Sequence, residues 1–168
     1  MVSKALYSSR SEEWGTPQNL FDYLDKQFKF TLDAAATAEN AKCEQFYTKE
    51  QDGLLQDWTG NVWLNPPYGT QIEHWMRKAH DSANTGPAFK WRPPTASVVV
   101  ALVHARTDTQ WWHHWVNKAS EVWFIEGRLK FDGGASSATF PSVLVIFRNN
   151  PTGEYPTMRA LRKIHWLE

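Results

Sequence analysis

The sequence predicts an α/β sandwich built on a mostly parallel sheet, with an antiparallel hairpin toward the C-terminus. Three observations carry that expectation. Strand-like and helix-like stretches alternate along the chain. Val98-Val99-Val100-Ala101-Leu102-Val103 is a continuous apolar run, as expected of a central strand covered on both faces. Ile72, Trp75, Met76 and Ala79 keep helical spacing, which makes 71–83 an amphipathic helix.

Taken in order, residues 1–15 are polar and irregular. Thr16-Pro17 opens a helix, with Thr16 as N-cap and Pro17 at the first helical position. Leu20, Leu24 and Phe28 give that helix its buried stripe, with Phe21 beside it. Phe30 to Ala36 reads as a short strand spilling at Asp33 into a loop of small residues, and Gln45-Phe46-Tyr47-Thr48 as a second short strand. The strand Asn61–Leu64 delivers Asn65-Pro66-Pro67-Tyr68 ahead of the amphipathic helix. Asn84 to Pro94 is a loop carrying Lys90 and Arg92. The apolar run follows, and then Asp108 as the expected cap of a helix bearing Trp111, Trp112, Trp115 and Val116. Glu121–Glu126 and Val143–Phe147 form the hairpin across a long glycine-containing connection. The tail is expected to be helical from Thr157, with Met158, Leu161 and Ile164 inward.

A chain of 168 residues is most simply one domain, with its core in 12–148 and a tail over 149–168. Zero formal net charge gives no global attraction for nucleic acid, so any such partner must be met by locally placed Lys and Arg. The ten Trp suit core filling, and flat aromatics also suit base stacking. The lone Cys43 excludes an intramolecular disulfide and fits a reducing compartment. No apolar signal core or membrane-length run is present, so the expected location is the cytoplasm. His113-His114 lacks partners at ligand spacing, and no metal is expected. A Gly-rich phosphate loop is also missing, which leaves nucleotide hydrolysis unsupported.

The chemistry concentrates at Asn65-Pro66-Pro67-Tyr68. An aromatic exocyclic amine is a poor nucleophile because its lone pair is delocalised into the ring. The Asn65 side-chain oxygen and the Pro66 carbonyl can accept its two N–H bonds and favour a pyramidal nitrogen in the transition state. Pro66 and Pro67 stiffen the turn, and Tyr68 can lie against a flat base. Placement after a strand and before a helix matters, since ligands of open α/β sheets sit at the carboxyl ends of strands. The alternative for these four residues is a plain extended Pro-Pro turn with a half-buried tyrosine.

The tetrad resembles the (Asn/Asp/Ser)-Pro-Pro-(Tyr/Phe/Trp) motif of amino-group methyltransferases. With Trp14-Gly15-Thr16-Pro17, Leu32-Asp33-Ala34-Ala35-Ala36, Asp52-Gly53-Leu54 and Asp57-Trp58 before it, the order resembles the phage-type DNA adenine methyltransferase (Dam) family. Ala105-Arg106-Thr107-Asp108-Thr109-Gln110-Trp111-Trp112 and Gly127-Arg128-Leu129-Lys130-Phe131 extend the likeness over roughly residues 12–148.

The resemblance implies a Rossmann-like methyltransferase fold, S-adenosylmethionine as donor, and the adenine amine of DNA as acceptor. It implies that Asn65, Pro66, Pro67 and Tyr68 are the catalytic group. Thr16 and Pro17 would lie at the methionine end of the cofactor, although Thr16 as a simple N-cap remains an alternative. Asp33, followed by Ala34, would complement the ammonium and sulfonium charges, Asp52 would meet the ribose, and Asp57 and Trp58 the cofactor's adenine. Phe131 would close on the target base opposite Tyr68, or else plug the hairpin. Arg106, Arg128 and Lys130 would contact phosphates; Lys90 and Arg92 are read as solvated cations. The chain departs from the wider superfamily in lacking a glycine-rich cofactor loop, and the stretch between Asp33 and Asn65 is too short for two full strand–helix units.

The target sequence would be read by loops 84–96 and 127–140. A monomer is the expected working unit, and the family suggests a phage marking its DNA inside a bacterial host. RNA adenine and protein glutamine remain alternative acceptors, and a non-catalytic DNA-binding module of the same fold remains an alternative role.

Overall fold

The computed structural model describes residues 15–84, 94–131, 137–149 and 156–162. Seven strands form one sheet in the order β2-β1-β3-β4-β6-β5-β7. These are β1 (Leu32–Asp33), β2 (Gln45–Phe46), β3 (Gly60–Leu64), β4 (Ala96–His104), β5 (Glu121–Ile125), β6 (Ser142–Phe147) and β7 (Thr157–Leu161). Strands β1 to β4 are mutually parallel where they pair. β6 is the one reversed strand, antiparallel to both β4 and β5, and β7 runs parallel to β5. The expected mostly parallel sheet with an antiparallel β5–β6 pair is therefore present.

Helix α1 (Gln18–Phe28) covers one face of the sheet, while α2 (Ile72–Ala83) and α3 (Gln110–Trp115) cover the other. The alternation along β4 shows how one strand serves both layers. Val99, Ala101 and Val103 pack beneath α2 and α3, whereas Val98, Val100 and Leu102 pack with α1. Trp63 does the same for β3, turning toward α1 between Val62 and Leu64, which turn toward α2. Leu20, Phe21, Leu24 and Phe28 are all buried on α1, as their spacing predicts.

Several local expectations are corrected. Helix α1 begins at Gln18, with Pro17 at the N-cap (φ −56°, ψ 130°) and Thr16 outside the helix. The Pro17 carbonyl accepts from Phe21 N–H at 3.1 Å, so proline's fixed φ serves the residue before the first turn, not the first within it. The short strand does end at Asp33 as expected, and the chain bends there to bring two N–H groups onto its carboxylate. Asp108 does not cap α3. It accepts from Arg106 Nε at 3.3 Å, and Thr109 holds the N-cap position. The tail is strand β7, not a helix: Leu161 is buried, but Met158 is 57% exposed. Residues three apart share a helix face but fall on opposite faces of a strand, which is why Leu161 is buried and Met158 is not; pairing with the edge of β5 decided the outcome. Ile164, Lys90 and Arg92 lie outside the described residues.

Candidate active site

β1 and β3 are neighbours in parallel register, with Leu32 opposite Val62 and Asp33 opposite Trp63. Their carboxyl ends therefore finish at one edge of the sheet, which places Asp33 and Asn65 together. Between them opens a cleft of about 450 Å³. Thr16 borders it ahead of α1, Tyr47 and Asp52 after β2, Asn65 to Tyr68 after β3, and Trp75 on α2.

Asp33 is 3% exposed. One carboxylate oxygen accepts from Lys42 N–H at 3.0 Å and the other from Ala35 N–H at 3.4 Å. Burial outweighs these bonds and raises its pKa to about 6. The carboxylate is thus pinned by neutral donors while its charge is poorly solvated, which favours a cationic ligand in the cleft.

Asp52 occupies the left-handed region at φ 51°, and its side chain accepts from Leu54 N–H at 3.1 Å. The next residue must be glycine. A Cβ on Gly53 would run into the Ala34 carbonyl and press on the Trp75 ring. This packing is the physical content of Asp52-Gly53-Leu54: it seats the loop between β1 and α2 and so shapes the cleft wall.

In the tetrad, Pro66 is buried, and Asn65, Pro67 and Tyr68 are half-buried. The Tyr68 hydroxyl donates to Asn65 Oδ1 at 3.3 Å or to the Leu102 carbonyl at 3.4 Å. Burial pushes the Tyr68 phenol well above its ordinary pKa, so it remains a neutral donor. Its ring stacks on His104, with centroids 3.8 Å apart and planes at 28°, and meets Phe140 edge-on at 5.8 Å. Burial, then the nearby Arg106 charge, lowers the His104 pKa to about 4 and keeps the imidazole neutral.

A second cleft, about 570 Å³, begins where the first ends. Tyr68, Gly69 and Thr70 line both, and His104, Arg106, Gln110 and Trp111 continue the second. Tyr68, with Gly69 and Thr70 after it, is consequently the partition between two openings.

The other sequence-derived candidates divide between cleft, core and surface. Thr16, Asp33, Asp52, Asn65, Pro66, Pro67 and Tyr68 are brought to the first cleft, and Arg106 to the second. Pro17 and Ala34 stand beside lining residues without lining the cleft themselves; Ala34 donates its N–H to the Trp63 carbonyl. Trp58 is fully buried. Its Nε1–H donates to the Gly53 carbonyl at 2.8 Å, and its ring backs Trp75 with centroids 6.1 Å apart. Asp57 is exposed, and its contribution here is a backbone carbonyl that accepts from the Tyr47 hydroxyl at 3.0 Å. Phe131 is 2% exposed and lies behind Phe140, so Phe140 is the phenylalanine that reaches Tyr68. Arg128 and Lys130 are exposed and border neither cleft.

Tyr47, Trp75 and Phe140 were not singled out as site residues by the sequence. Trp75 falls on an apolar helix stripe, where a core role is the default, and Tyr47 follows a weak two-residue strand. Among the described residues, no group of three or more His, Cys, Asp or Glu could hold a metal. No helix in them is long and apolar enough to cross a membrane.

Comparison with known proteins agrees with this geometry. The family model described as DNA N-6-adenine-methyltransferase (Dam) matches residues 3–163. The chain is 29% identical over 169 aligned residues to a DNA N-6-adenine-methyltransferase of Haemophilus phage HP1 (strain HP1c1), covering 95% of this chain and 91% of that protein. It is 33% identical over 122 residues to a DNA N-6-adenine-methyltransferase of Escherichia phage T1, covering 71% of this chain and 47% of that one. A putative methyltransferase of Escherichia coli K12, YfdM, is 37% identical over 65 residues, 34% of this chain and 71% of the other. With nearly its whole length matched, its methyltransferase sheet intact and its Asn-Pro-Pro-Tyr tetrad opening on a cleft, the chain belongs to the DNA N-6-adenine-methyltransferase (Dam) family.

Proposed function

We propose that this DNA N6-adenine methyltransferase binds S-adenosylmethionine in the first cleft and methylates an adenine swung out of DNA and held at Asn65. Methyltransferases of this kind use that cofactor in general, and the residues of the cleft suit it. Asp33 offers a buried, poorly solvated carboxylate to a ligand bearing ammonium and sulfonium charges. Thr16 stands at the N-terminal end of α1, where backbone N–H groups favour a carboxylate. Asp52 has acceptor capacity for ribose hydroxyls, and Tyr47 and Trp75 provide flat walls for a purine.

When bound, the cofactor supplies a methyl group made electrophilic by positive sulfur. Asn65 Oδ1 and the Pro66 carbonyl draw on the two N–H bonds of the adenine amine, which concentrates the lone pair on nitrogen. Both acceptors are neutral, so they localise that pair without abstracting a proton in advance. As the C–N bond forms, the methyl–sulfur bond would break and its electron pair return to sulfur as a neutral thioether; the methylated nitrogen is then acidic and releases its proton through Asn65 to water. Tyr68 presents its ring to the base, and stacking there offsets part of the cost of extruding it. Arg106, at the rim of the second cleft, is placed to meet a phosphate. The described residues act as one methyltransferase domain.

The observation that carries this reading is that Asp33 and Asn65, from adjacent parallel strands, open into one cleft. DNA from cells expressing the protein, sequenced with detection of methylated adenine, is expected to carry the mark at a defined sequence. The mark is expected to be missing from cells expressing Asn65→Ala. Methyl transfer to RNA or protein in place of DNA would overturn the reading.

A further inference from the structure

The stacking face of Tyr68 is not vacant. His104, the last residue of β4, lies on it with ring centroids 3.8 Å apart, and Phe140 packs on His104 at 3.4 Å. Such an arrangement would normally be secured by a hydrogen bond from the imidazole, yet His104 Nε2 is buried with no partner among the described residues. Its cross-strand neighbour Ser142 is in the same condition: 2% exposed, with Oγ buried and unbonded. Two unsatisfied polar groups thus meet at the end of the central strand, beside the residue meant to hold the base. The imidazole also borders the second cleft, where Arg106 and Gln110 line the walls and water can enter.

The rings in this stack resemble what the site is built to receive. A neutral imidazole stacked on Tyr68 and packed against Phe140 is a flat, polar-edged heteroaromatic group, as adenine is. With the first cleft given to the cofactor, the second is the approach left for a base, and His104 stands across it.

We propose that His104 is a positioning residue that fills the stacking slot on Tyr68 in the free enzyme and yields it to the target adenine, turning its ring into the second cleft. The proposal rests on the adenine-methylation reading above. The exchange is nearly balanced. One heteroaromatic ring replaces another on Tyr68, while the displaced Nε2 gains water that it lacks in the stack. Occupation of the slot also discriminates against groups that stack poorly, because only a ligand able to replace the imidazole gains entry.

The test begins with wild-type enzyme and the duplex site identified by sequencing methylated DNA. In the free protein, the ring protons of His104 are expected to be shifted upfield by Tyr68 and Phe140. In NMR spectra, binding the target duplex is expected to move them to solvent-like positions. The same duplex lacking only the target base should leave them in place. His104→Ala is expected to lower KM for DNA by about threefold to tenfold with kcat little changed, since the competing occupant is gone. His104→Phe, which gains nothing from water, is expected to raise KM.

Unchanged ring shifts on target binding, or equal shifts with the base-free duplex, would overturn the proposal without any variant needing to fold. So would a His104→Ala enzyme whose kcat falls while KM stays fixed. If wild-type enzyme transfers no methyl group to DNA, the functional reading itself fails, and this inference falls with it. Wild-type turnover accompanied by motionless His104 signals overturns this inference alone.

Discussion

The Tyr68 hydroxyl donates to Asn65 Oδ1 over 3.3 Å, with the Leu102 carbonyl as its other acceptor at 3.4 Å. One hydrogen serves one of these oxygens at a time, and a carbonyl oxygen has two acceptor directions. The bond therefore orients the Asn65 amide while leaving room for an adenine N–H. The alternative bond, to the Leu102 carbonyl, ties Tyr68 to β4, the central strand of the sheet.

Tyr68 consequently has separable roles. Tyr68→Phe removes the orienting bond but keeps the ring, and is expected to lower kcat by about fivefold, the worth of one neutral hydrogen bond. Tyr68→Ala removes the stacking surface as well, and is expected to raise KM for DNA by at least about tenfold. Steady-state kinetics on both variants checks the separation.

Asn65→Ala is expected to abolish turnover, with kcat down by about a thousandfold or more, because it deletes an acceptor used in the transition state. Cofactor affinity measured by calorimetry should change little. Equal losses of turnover and affinity would mean that Asn65 mainly holds the cofactor.

Asp33 gives the cleft a pH dependence with a definite sign. Its carboxyl titrates near pH 6 in the free protein, and a cationic ligand selects the ionised form. Cofactor affinity should be flat above that value and fall as pH drops through it, by about tenfold between pH 7.5 and pH 5. For stability without ligand the sign is opposite. A carboxyl whose pKa is raised from 3.8 contributes stability that is present below pH 3.8 and lost as pH rises through 6. The thermal shift produced by cofactor should therefore be larger at pH 7.5 than at pH 5. Asp33→Asn should weaken binding at pH 7.5 and flatten the dependence.

Trp58 and Gly53 test whether the Asp-Gly and Asp-Trp pairs are architecture or ligand contacts. Trp58→Ala opens a hole behind Trp75 and leaves the Gly53 carbonyl without its 2.8 Å donor. It is expected to cost about 3–5 kcal/mol in denaturant unfolding. Gly53→Ala is expected to destabilise the fold by about 1–3 kcal/mol, since its Cβ meets backbone that must shift. Both losses should appear without ligand present. A Trp58→Ala protein of normal stability but poor cofactor affinity would restore that residue to the ligand.

The sequence by itself determined the layers and the chemical centre. The continuous apolar run Val98 to Val103, the stripe of α1 and the period of α2 are local patterns, and each reports which faces are buried whatever the neighbours are. Asn65-Pro66-Pro67-Tyr68 was legible for a similar reason: a stiff turn after a strand carries its chemistry in consecutive residues. Asp33 was legible because it is the acidic residue at the end of the first strand, the place that the family resemblance marks.

Tertiary structure decided whatever depended on residues distant in the chain. Trp58 entered the core because Trp75 and the Gly53 carbonyl were there to receive it. Phe140, and not Phe131, stands beside Tyr68 because Phe131 is buried in the core on the α1 side, with Phe140 between the two. The tail became β7 because β5 had an open edge. His104 came to lie on Tyr68 because β4 ends level with the tetrad. Local periodicity records burial one element at a time, whereas stacking partners, edge pairing and the lining of a cleft are fixed only when separate elements compete for the same space.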